Sequence, residues 1–491
     1  MPVKDTNKKN IIITPQQSEI ISGREGIIRV IACAGSGKTF VLTSSISGIL
    51  KQKLCRPDEI LAITFTKNAA ENMRKKIKER VGQRVDFNSI DIFTFNSFGN
   101  HIISENTFLL GLGKGYNLIN IPRSWQILYE IVRKADFASI KTGKDRGSFV
   151  DDILKYIWDL KNNLVTPGQL KQYIRTSNSL LAGYKSKALY DEELEVLSYQ
   201  EDLCNVYERY EDAKITNNLV DYHDHVFLPY KLFIEKPQVR KYYSKKYKYI
   251  FVDEFQDTDV AQGRLIAMLY SPGQNSMMIV GDDDQGIYSF RGACVENILG
   301  FDKWDEFAGE EVKDYYLTTN FRSGDKIVCT IENIINANTS RFTKKFRTEY
   351  EGKHSEVMFF KAGSLKEEAT IIAKEIIRLK NSGICAKDIA ILSRVKKFSH
   401  ITDALDNLNI KYELISSRGF YYEPEVLFII SWLMVIYDCR NALHIINILQ
   451  SPKYKISDRD IFFLRNFDND NNCFLPDSKS ASINFINQIA A

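Results

Sequence analysis

The sequence predicts an α/β protein built on parallel sheets, and three observations predict it. Short apolar runs recur at 27–31, 60–64, 90–94, 249–253, 277–281 and 315–317, with helix-like stretches between many of them. The octapeptide ACAGSGKT at 32–39 joins the first of these runs to a segment that reads as helix. From about 318 onward the alternation starts again, with strand-like runs at 356–360, 389–393 and 412–415 and helix-like segments at 367–379 and 401–408. Strands alternating with helices at this spacing imply parallel sheets joined by crossover helices.

Composition narrows the class. A chain of 491 residues is expected to form about two to four domains. Its 44% hydrophobic and 26% charged content is that of a globular protein rather than a disordered or fibrous one. The net charge is only +4, so a nucleic-acid partner has to be read from local features. Eight scattered cysteines form no C-x-x-C pair and read as reduced thiols acting as small apolar residues. No apolar run is long enough to span a bilayer, and residues 1–10 lack the hydrophobic core of a signal peptide, so the expected location is the cytoplasm.

Taken in order, Thr14 and Pro15 mark a helix start, with threonine as N-cap and proline at the first helical position. The phosphate loop follows, then the strand at 60–64 and a basic helix containing Arg74, Lys75, Lys76 and Lys78. After the strand at 90–94 the β rhythm disappears between about 100 and 215, which reads as a helical insertion with Trp125, Trp158, Tyr207 and Tyr210 among its apolar positions. The β signal returns at 249–253, preceded by a basic aromatic stretch at 241–248. Residues 436–491 read as helical and then polar, with a loop at 468–472.

Two of these segments carry chemistry. In the loop at 32–39, Gly35 and Gly37 let backbone N–H groups converge on phosphate oxygens, Lys38 brings a cation to the terminal phosphates, and Thr39 offers a hydroxyl to Mg²⁺. Asp253 and Glu254 close an apolar strand, where the first can hold the Mg²⁺ shell and the second can accept a proton from attacking water. His223 and His225 lie beside Asp221 and Asp224, but no further Cys or His completes a metal set. The 241–248 stretch reads as a solvated charged face.

Further segments, in a fixed order, resemble the UvrD/PcrA/Rep family of superfamily 1 DNA helicases. They are ITFTKNAAENM at 63–73, TFNSF at 94–98, LVDYHD at 219–224, VDEFQDTD at 252–259, VGDDDQGIYSFRGA at 280–293, LTTNFRS at 317–323 and RGFYYEPEV at 418–426. The resemblance implies two RecA-like motor domains: 1–99 with 216–316 as the first, 100–215 as its insertion, 317–435 as part of the second, and 436–491 as the start of a second insertion. It implies that Gln17 reads adenine, that Ala32, Cys33, Ala34, Gly35, Ser36, Gly37, Lys38 and Thr39 hold the phosphates, and that Phe40 and Phe321 flank the base. Thr39 and Asp253 are then the Mg²⁺ ligands, and Lys38, Glu254, Gln285 and Arg322 the catalytic set, with Gln285 coupling the γ-phosphate to the DNA channel. Phe65, Thr66, Thr94, Asn96, Tyr288, Phe290 and Arg291 are implied to contact the DNA strand. Aromatic faces suit that task because they stack on any base without reading sequence.

The sequence also departs from the family. Phe40 stands where relatives usually place an arginine against adenine, and Phe290 replaces their tryptophan; both keep a flat apolar surface. The family's two final motifs, including a second nucleotide-contacting arginine, are not found, so the chain is expected to stop inside the second insertion. The implied activity is a 3′ to 5′ ATP-dependent DNA helicase using ATP and Mg²⁺ on single-stranded and duplex-junction DNA. The alternative is an ATP- and strand-binding regulatory module, or half of a split helicase completed by a second polypeptide. A kinase using the same loop leaves GDDDQ at 281–285 without a role.

Overall fold

The structure, a computed structural model, describes residues 13–82, 89–140, 146–181, 186–350, 355–395, 398–415, 424–437, 442–449, 451 and 454. The chain divides into two compact units, Met1–Val357 and Met358–Ala491.

The first unit opens with α1 (Pro15–Ser22), whose N-cap Thr14 and third residue Gln17 satisfy each other's backbone N–H groups in a capping box. Then follow β1 (Ile27–Ala32), α2 (Lys38–Lys51), β2 (Ile60–Thr64), α3 (Lys67–Val81), β3 (Asp91–Thr94) and α4 (Phe95–Glu105). The insertion holds β4 (Asn117–Leu118), α5 (Ile121–Lys134), α6 (Arg146–Asn162), α7 (Pro167–Leu180) and α8 (Lys187–Thr216). It is closed at its base by β5 (Leu219–Val220), which pairs in parallel with β4. The chain returns through α9 (Asp224–Glu235), α10 (Pro237–Lys246), β6 (Tyr249–Val252), α11 (Val260–Ala267), β7 (Ser276–Gly281), α12 (Glu296–Leu299) and β8 (Val312–Leu317). A short pair, β9 (Thr319–Asn320) with β10 (Arg347–Thr348), brackets α13 (Asp325–Ile335).

The main sheet has the order β3-β2-β6-β7-β1-β8, and every neighbouring pair is parallel. Each residue of β1 and β2 is buried, as a parallel sheet covered on both faces requires. Alternate residues feed opposite cores: Ile27, Leu61, Ile63 and Val252 on one side, Ile28, Val30, Ala62 and Phe251 on the other. Because β1 lies between β7 and β8, with β6 next to β7, the loops that leave these strands open at one edge of the sheet. That edge is where parallel sheets place ligand sites.

The insertion has its own core, in which Leu128 and Val132 of α5 meet Ile153, Leu154 and Ile157 of α6 and Tyr207 and Tyr210 of α8. The basic aromatic stretch expected to face solvent is partly structural. Tyr243 and Tyr247 are buried, Lys246 pairs with Asp91 at 2.7 Å and Lys248 with Glu59 at 3.1 Å.

In the second unit, the expected helices are α14 (Leu365–Asn381) and α15 (Ser399–Asn407), packed through Ala369, Ala373, Ile401 and Leu405. The runs at 356–360, 389–393 and 412–415, expected as strands, carry no ladder among the described residues. An extended run becomes a strand only when a neighbour stands about 4.8 Å away to exchange N–H and C=O bonds. Here Phe359 is left 98% exposed and Leu392 93% exposed, while Ile389 and Ile391 pack against the core between the two helices. Two further helices are α16 (Pro424–Tyr437) and α17 (Ala442–Leu449). Most of the segment at 418–426 and the loop at 468–472 lie outside the described residues. No helix among the described residues is long and apolar enough to cross a membrane.

Candidate nucleotide site and nucleic-acid interface

The loop between β1 and α2 is shaped by two glycines in the left-handed region, Gly35 at φ 69° and Gly37 at φ 90°. Gly35 is required for a second reason, because a Cβ there would lie 2.9 Å from Arg322 Cβ. Residues 320–322 are therefore laid directly on the loop. Asn320 Nδ2 donates to Ala34 O at 2.8 Å, and Phe321 N–H donates to Gly35 O at 2.9 Å. The Arg322 backbone is pinned by its N–H to Asn320 Oδ1 at 2.7 Å, while its side chain is exposed.

Behind this lies a strand-to-strand anchor. Arg29 of β1 is buried and forks onto Asp314 of β8 at 2.7 and 2.9 Å, the residue opposite it in register. Burial works against its charge, but Asp314 and Asp302 together hold the guanidinium above its ordinary pKa.

On the other side of the loop, Lys38 Nζ lies 2.8 Å from Glu254 Oε2, and Thr39 Oγ1 donates to Asp253 Oδ2 at 3.3 Å. Burial, reinforced by the neighbouring Glu254 charge and opposed by Lys38, pushes the Asp253 carboxyl up to about 6. Glu254 has φ 52°, a left-handed conformation rarely adopted by a residue with a side chain. Such strain persists where surrounding contacts enforce it. Here Lys38 and Gln256 grip the carboxylate, with Gln256 Nε2 donating to Glu254 Oε2 at 2.9 Å.

The donor set fits a nucleoside triphosphate with Mg²⁺. Thr39 and Asp253 present adjoining oxygens, Lys38 brings the charge, and the buried Ser36 hydroxyl has no partner among the described residues. Cys33 is buried and its thiol is pushed up to about 12, so it takes no part as a thiolate. Of the two base-flanking candidates, Phe40 lies in the first turn of α2 and Phe321 is tied by its backbone to Gly35. Phe40 carries the Arg80 guanidinium of α3 at 4.5 Å from its ring centre. Gln17 is buried, and its amide serves the loop, donating to Ser36 O at 3.2 Å.

The second site is a cavity of about 1110 Å³ lined by Phe65, Thr66, Thr94, Asn96, Phe290 and Arg291. Tyr288 joins this set by stacking on Phe65 at 5.5 Å and tilting against Phe290 at 6.0 Å. Arg291 covers both rings, 5.3 Å from Tyr288 and 5.6 Å from Phe290. Phe290 is 76% exposed, so it is not a core aromatic. All seven residues expected at a strand thus gather in one place. The same cavity takes in Trp158, Tyr222, His223 and His225, none of which the sequence had singled out as strand contacts. The only available signal was one aromatic and two histidines inside 219–225.

A hydrogen-bond path runs from the nucleotide site to Gln285, three residues before Tyr288 in the chain. From Glu254 it passes to Gln256, whose Oε1 accepts from Asp282 N–H at 2.9 Å, and Asp282 in turn accepts from Gln285 Nε2. The aspartates at 282–284 are held by Lys344, whose Nζ lies 2.6–2.8 Å from all three, and by Arg341, 2.9 Å from Asp284. Lys344 and Arg341 went unrecognised in the sequence, where they look like ordinary basic residues. These pairs bind the segment after β8 into the first compact unit, which runs to Val357.

Two carboxylate groupings have a geometry open to a cation: Glu211 with Asp221 and Asp224, and Asp282 with Asp283 and Asp284. Lysine ammonium groups stand among both, Lys161 and Lys214 in the first and Lys344 in the second.

Fold and cleft together define a RecA-like P-loop protein. Comparison places it more closely, since the pattern of the UvrD/REP helicase N-terminal domain matches residues 13–305 and that of the UvrD-like helicase C-terminal domain matches 315–477. The chain belongs to the UvrD/REP helicase family. It is 29% identical over 472 residues to the ATP-dependent DNA helicase PcrA of Staphylococcus epidermidis strain RP62A, covering 96% of this chain and 60% of that protein. The PcrA of Staphylococcus aureus strain Mu50 is 28% identical over 465 residues, which is 94% of this chain and 59% of that protein. The chain thus spans about three fifths of the length of these curated relatives.

Proposed function

We propose that this chain is the ATP-binding and strand-gripping part of a 3′ to 5′ DNA helicase of PcrA/UvrD type. The observation that carries the reading is the path Glu254–Gln256–Asp282–Gln285, which runs from the partner of Lys38 to the segment that carries Tyr288 and Phe290. The organisation into a first motor domain at 1–99 and 216–316 and a second beginning at 317 belongs to the same proposal.

In this reading Lys38 holds the terminal phosphates of ATP, and Phe40 and Phe321 flank the base. Bound Mg²⁺, held by Thr39 and Asp253, supplies charge neutralisation at the phosphates. Glu254 accepts the proton of a water whose oxygen bonds to the γ-phosphorus as the bond to ADP breaks, leaving ADP and phosphate. Arg322, docked on the loop by its backbone, offsets the charge that develops on the transferring group. Phe65, Tyr288 and Phe290 stack on unpaired bases, and Arg291 meets the backbone. Loss of the γ-phosphate is felt at Glu254 and passed through Gln256 and Asp282 to Gln285 and the strand.

A second reading, a strand-binding module or half of a split helicase with little turnover alone, draws on the unladdered runs of the second unit. One experiment decides between them. ATP hydrolysis by the purified chain is measured with and without oligo-dT, for the wild type, Lys38→Ala and Glu254→Gln. Strand-stimulated hydrolysis abolished by both changes supports the helicase reading. Binding of ATP and strand without turnover supports the second, and hydrolysis indifferent to both changes refutes the site.

A further inference from the structure

We propose that Lys161 and Lys214, two buried lysines of the insertion, are positioning residues for the strand-binding cavity, clamping the turn at 221–225 that carries Tyr222. The inference rests on the strand-binding reading above.

Lys161 lies near the end of α6 and Lys214 near the end of α8, with side chains 0% and 2% exposed. Lys161 Nζ lies 2.9 Å from Asp221, 2.7 Å from Asp224 and 2.8 Å from Glu211. Lys214 Nζ repeats the set at 2.9, 2.6 and 3.1 Å. Each ammonium hydrogen-bonds both aspartates, has Glu211 within ion-pair distance and is buried, so neither is presented to a DNA phosphate. Tyr210 O–H adds a bond to Asp221 Oδ2 at 3.2 Å.

The same carboxylates fold the turn. Asp221 Oδ1 accepts from the N–H groups of His223 and Asp224 at 2.9 and 3.0 Å, and Asp224 Oδ2 accepts from Asp221 N–H at 2.8 Å. Beside the clamp, Asn162 Oδ1 lies 2.9 Å from His223 Nδ1 and Trp158 stacks on the His223 ring at 4.9 Å. Between these anchored residues Tyr222 alone projects, 59% exposed on the cavity wall. Buried ion pairs add little net stability over apolar packing, but they specify one arrangement because any other leaves charges unpaired. The insertion therefore sets where Tyr222 stands in the cavity that Phe65 and Phe290 also line.

The test uses Lys161→Met and the charge-balanced Lys214→Met/Glu211→Gln, each confirmed folded by thermal melting. Binding of labelled oligo-dT is followed across salt, and binding of a fluorescent ATP analogue is measured alongside. Strand affinity should fall about tenfold, the equivalent of one stacked base. The slope of log affinity against log salt and the nucleotide affinity should stay as in the wild type. Tyr222→Ala should weaken the strand similarly on its own and add little to either clamp variant, since the lysines act through it.

A slope lower by about 0.7 would instead make the lysines direct phosphate contacts. Unchanged strand affinity in both folded variants, or a Tyr222→Ala effect that simply adds, would reduce the cluster to a fold element; either result overturns the proposal. The double variant serves where Lys161→Met does not fold. Failure of the wild-type chain to bind oligo-dT would instead remove the strand-binding reading itself.

Discussion

Lys38 Nζ stands 2.8 Å from Glu254 Oε2, so the cation of the phosphate loop and the carboxylate opposite it are paired with each other. Under the proposed function, an arriving γ-phosphate would take the lysine and release Glu254 toward water. Nucleotide binding and activation of the base would then be one exchange of partners.

Glu254→Gln removes the competitor for Lys38 and the proton acceptor together. ATP should bind at least as tightly as in the wild type, while single-turnover hydrolysis falls by about 10² to 10⁴. Hydrolysis within tenfold of the wild type would exclude Glu254 as the base.

Gly281 ends β7 against the relay. A Cβ there would stand 2.5 Å from Ile298 Cδ1 and 2.8 Å from Gln256 Oε1. Gly281→Ala should cost about 1–3 kcal/mol of stability. It should also lower the ratio of strand-stimulated to basal hydrolysis by displacing Gln256. A melting temperature and a ratio both equal to the wild type would show that neighbouring side chains absorb the methyl.

Arg80 has no carboxylate partner among the described residues, and its guanidinium lies over Phe40. Burial holds its pKa below the ordinary value, and the neighbouring Glu79 charge only partly opposes it. Arg80→Ala should weaken ATP about two- to fivefold, as expected for losing one partly shielded cation–π contact. Tripolyphosphate, which has no base, should bind unchanged. Equal weakening of both ligands would place Arg80 at the phosphates.

Asp259 caps α11, accepting from Gln262 N–H at 2.7 Å, yet burial outweighs the backbone donors and pushes its carboxyl up to about 7. The ordinary aspartate value is about 3.9. Between pH 4 and 7, therefore, the native state holds more protons at this site than the unfolded state, and its contribution to stability declines as pH rises. Asparagine caps equally well and does not titrate. Asp259→Asn should gain on the wild type across that window and hold the gain above it, read as urea midpoints at pH 4.5 and 8. A difference constant with pH would mean that Asp259 stays charged throughout.

Much of the first unit was legible in the sequence because its signals are local. A buried parallel strand reads as a continuous apolar run, and 60–64 matches β2 to the residue. Thr14, Pro15 and Gln17 announce α1 through capping chemistry that spans only four residues. The second unit was less legible. Its runs at 356–360 and 389–393 have strand composition, but a strand also needs a neighbour, and composition does not say whether one is in reach.

What the sequence determined by itself was the chemical inventory: the phosphate loop, the Asp253–Glu254 pair, the aromatics at 65, 288 and 290, and the order that relates them to a helicase family. Tertiary structure alone decided which of these touch and what holds them. Arg322 lies on Gly35, Lys344 gathers three aspartates, and Lys161 with Lys214 fixes the turn beneath Tyr222. The physical reason is that an ion pair depends on a few ångströms of space, not on spacing along the chain. A lysine that clamps a site and one that faces water are the same letter until the chain has folded.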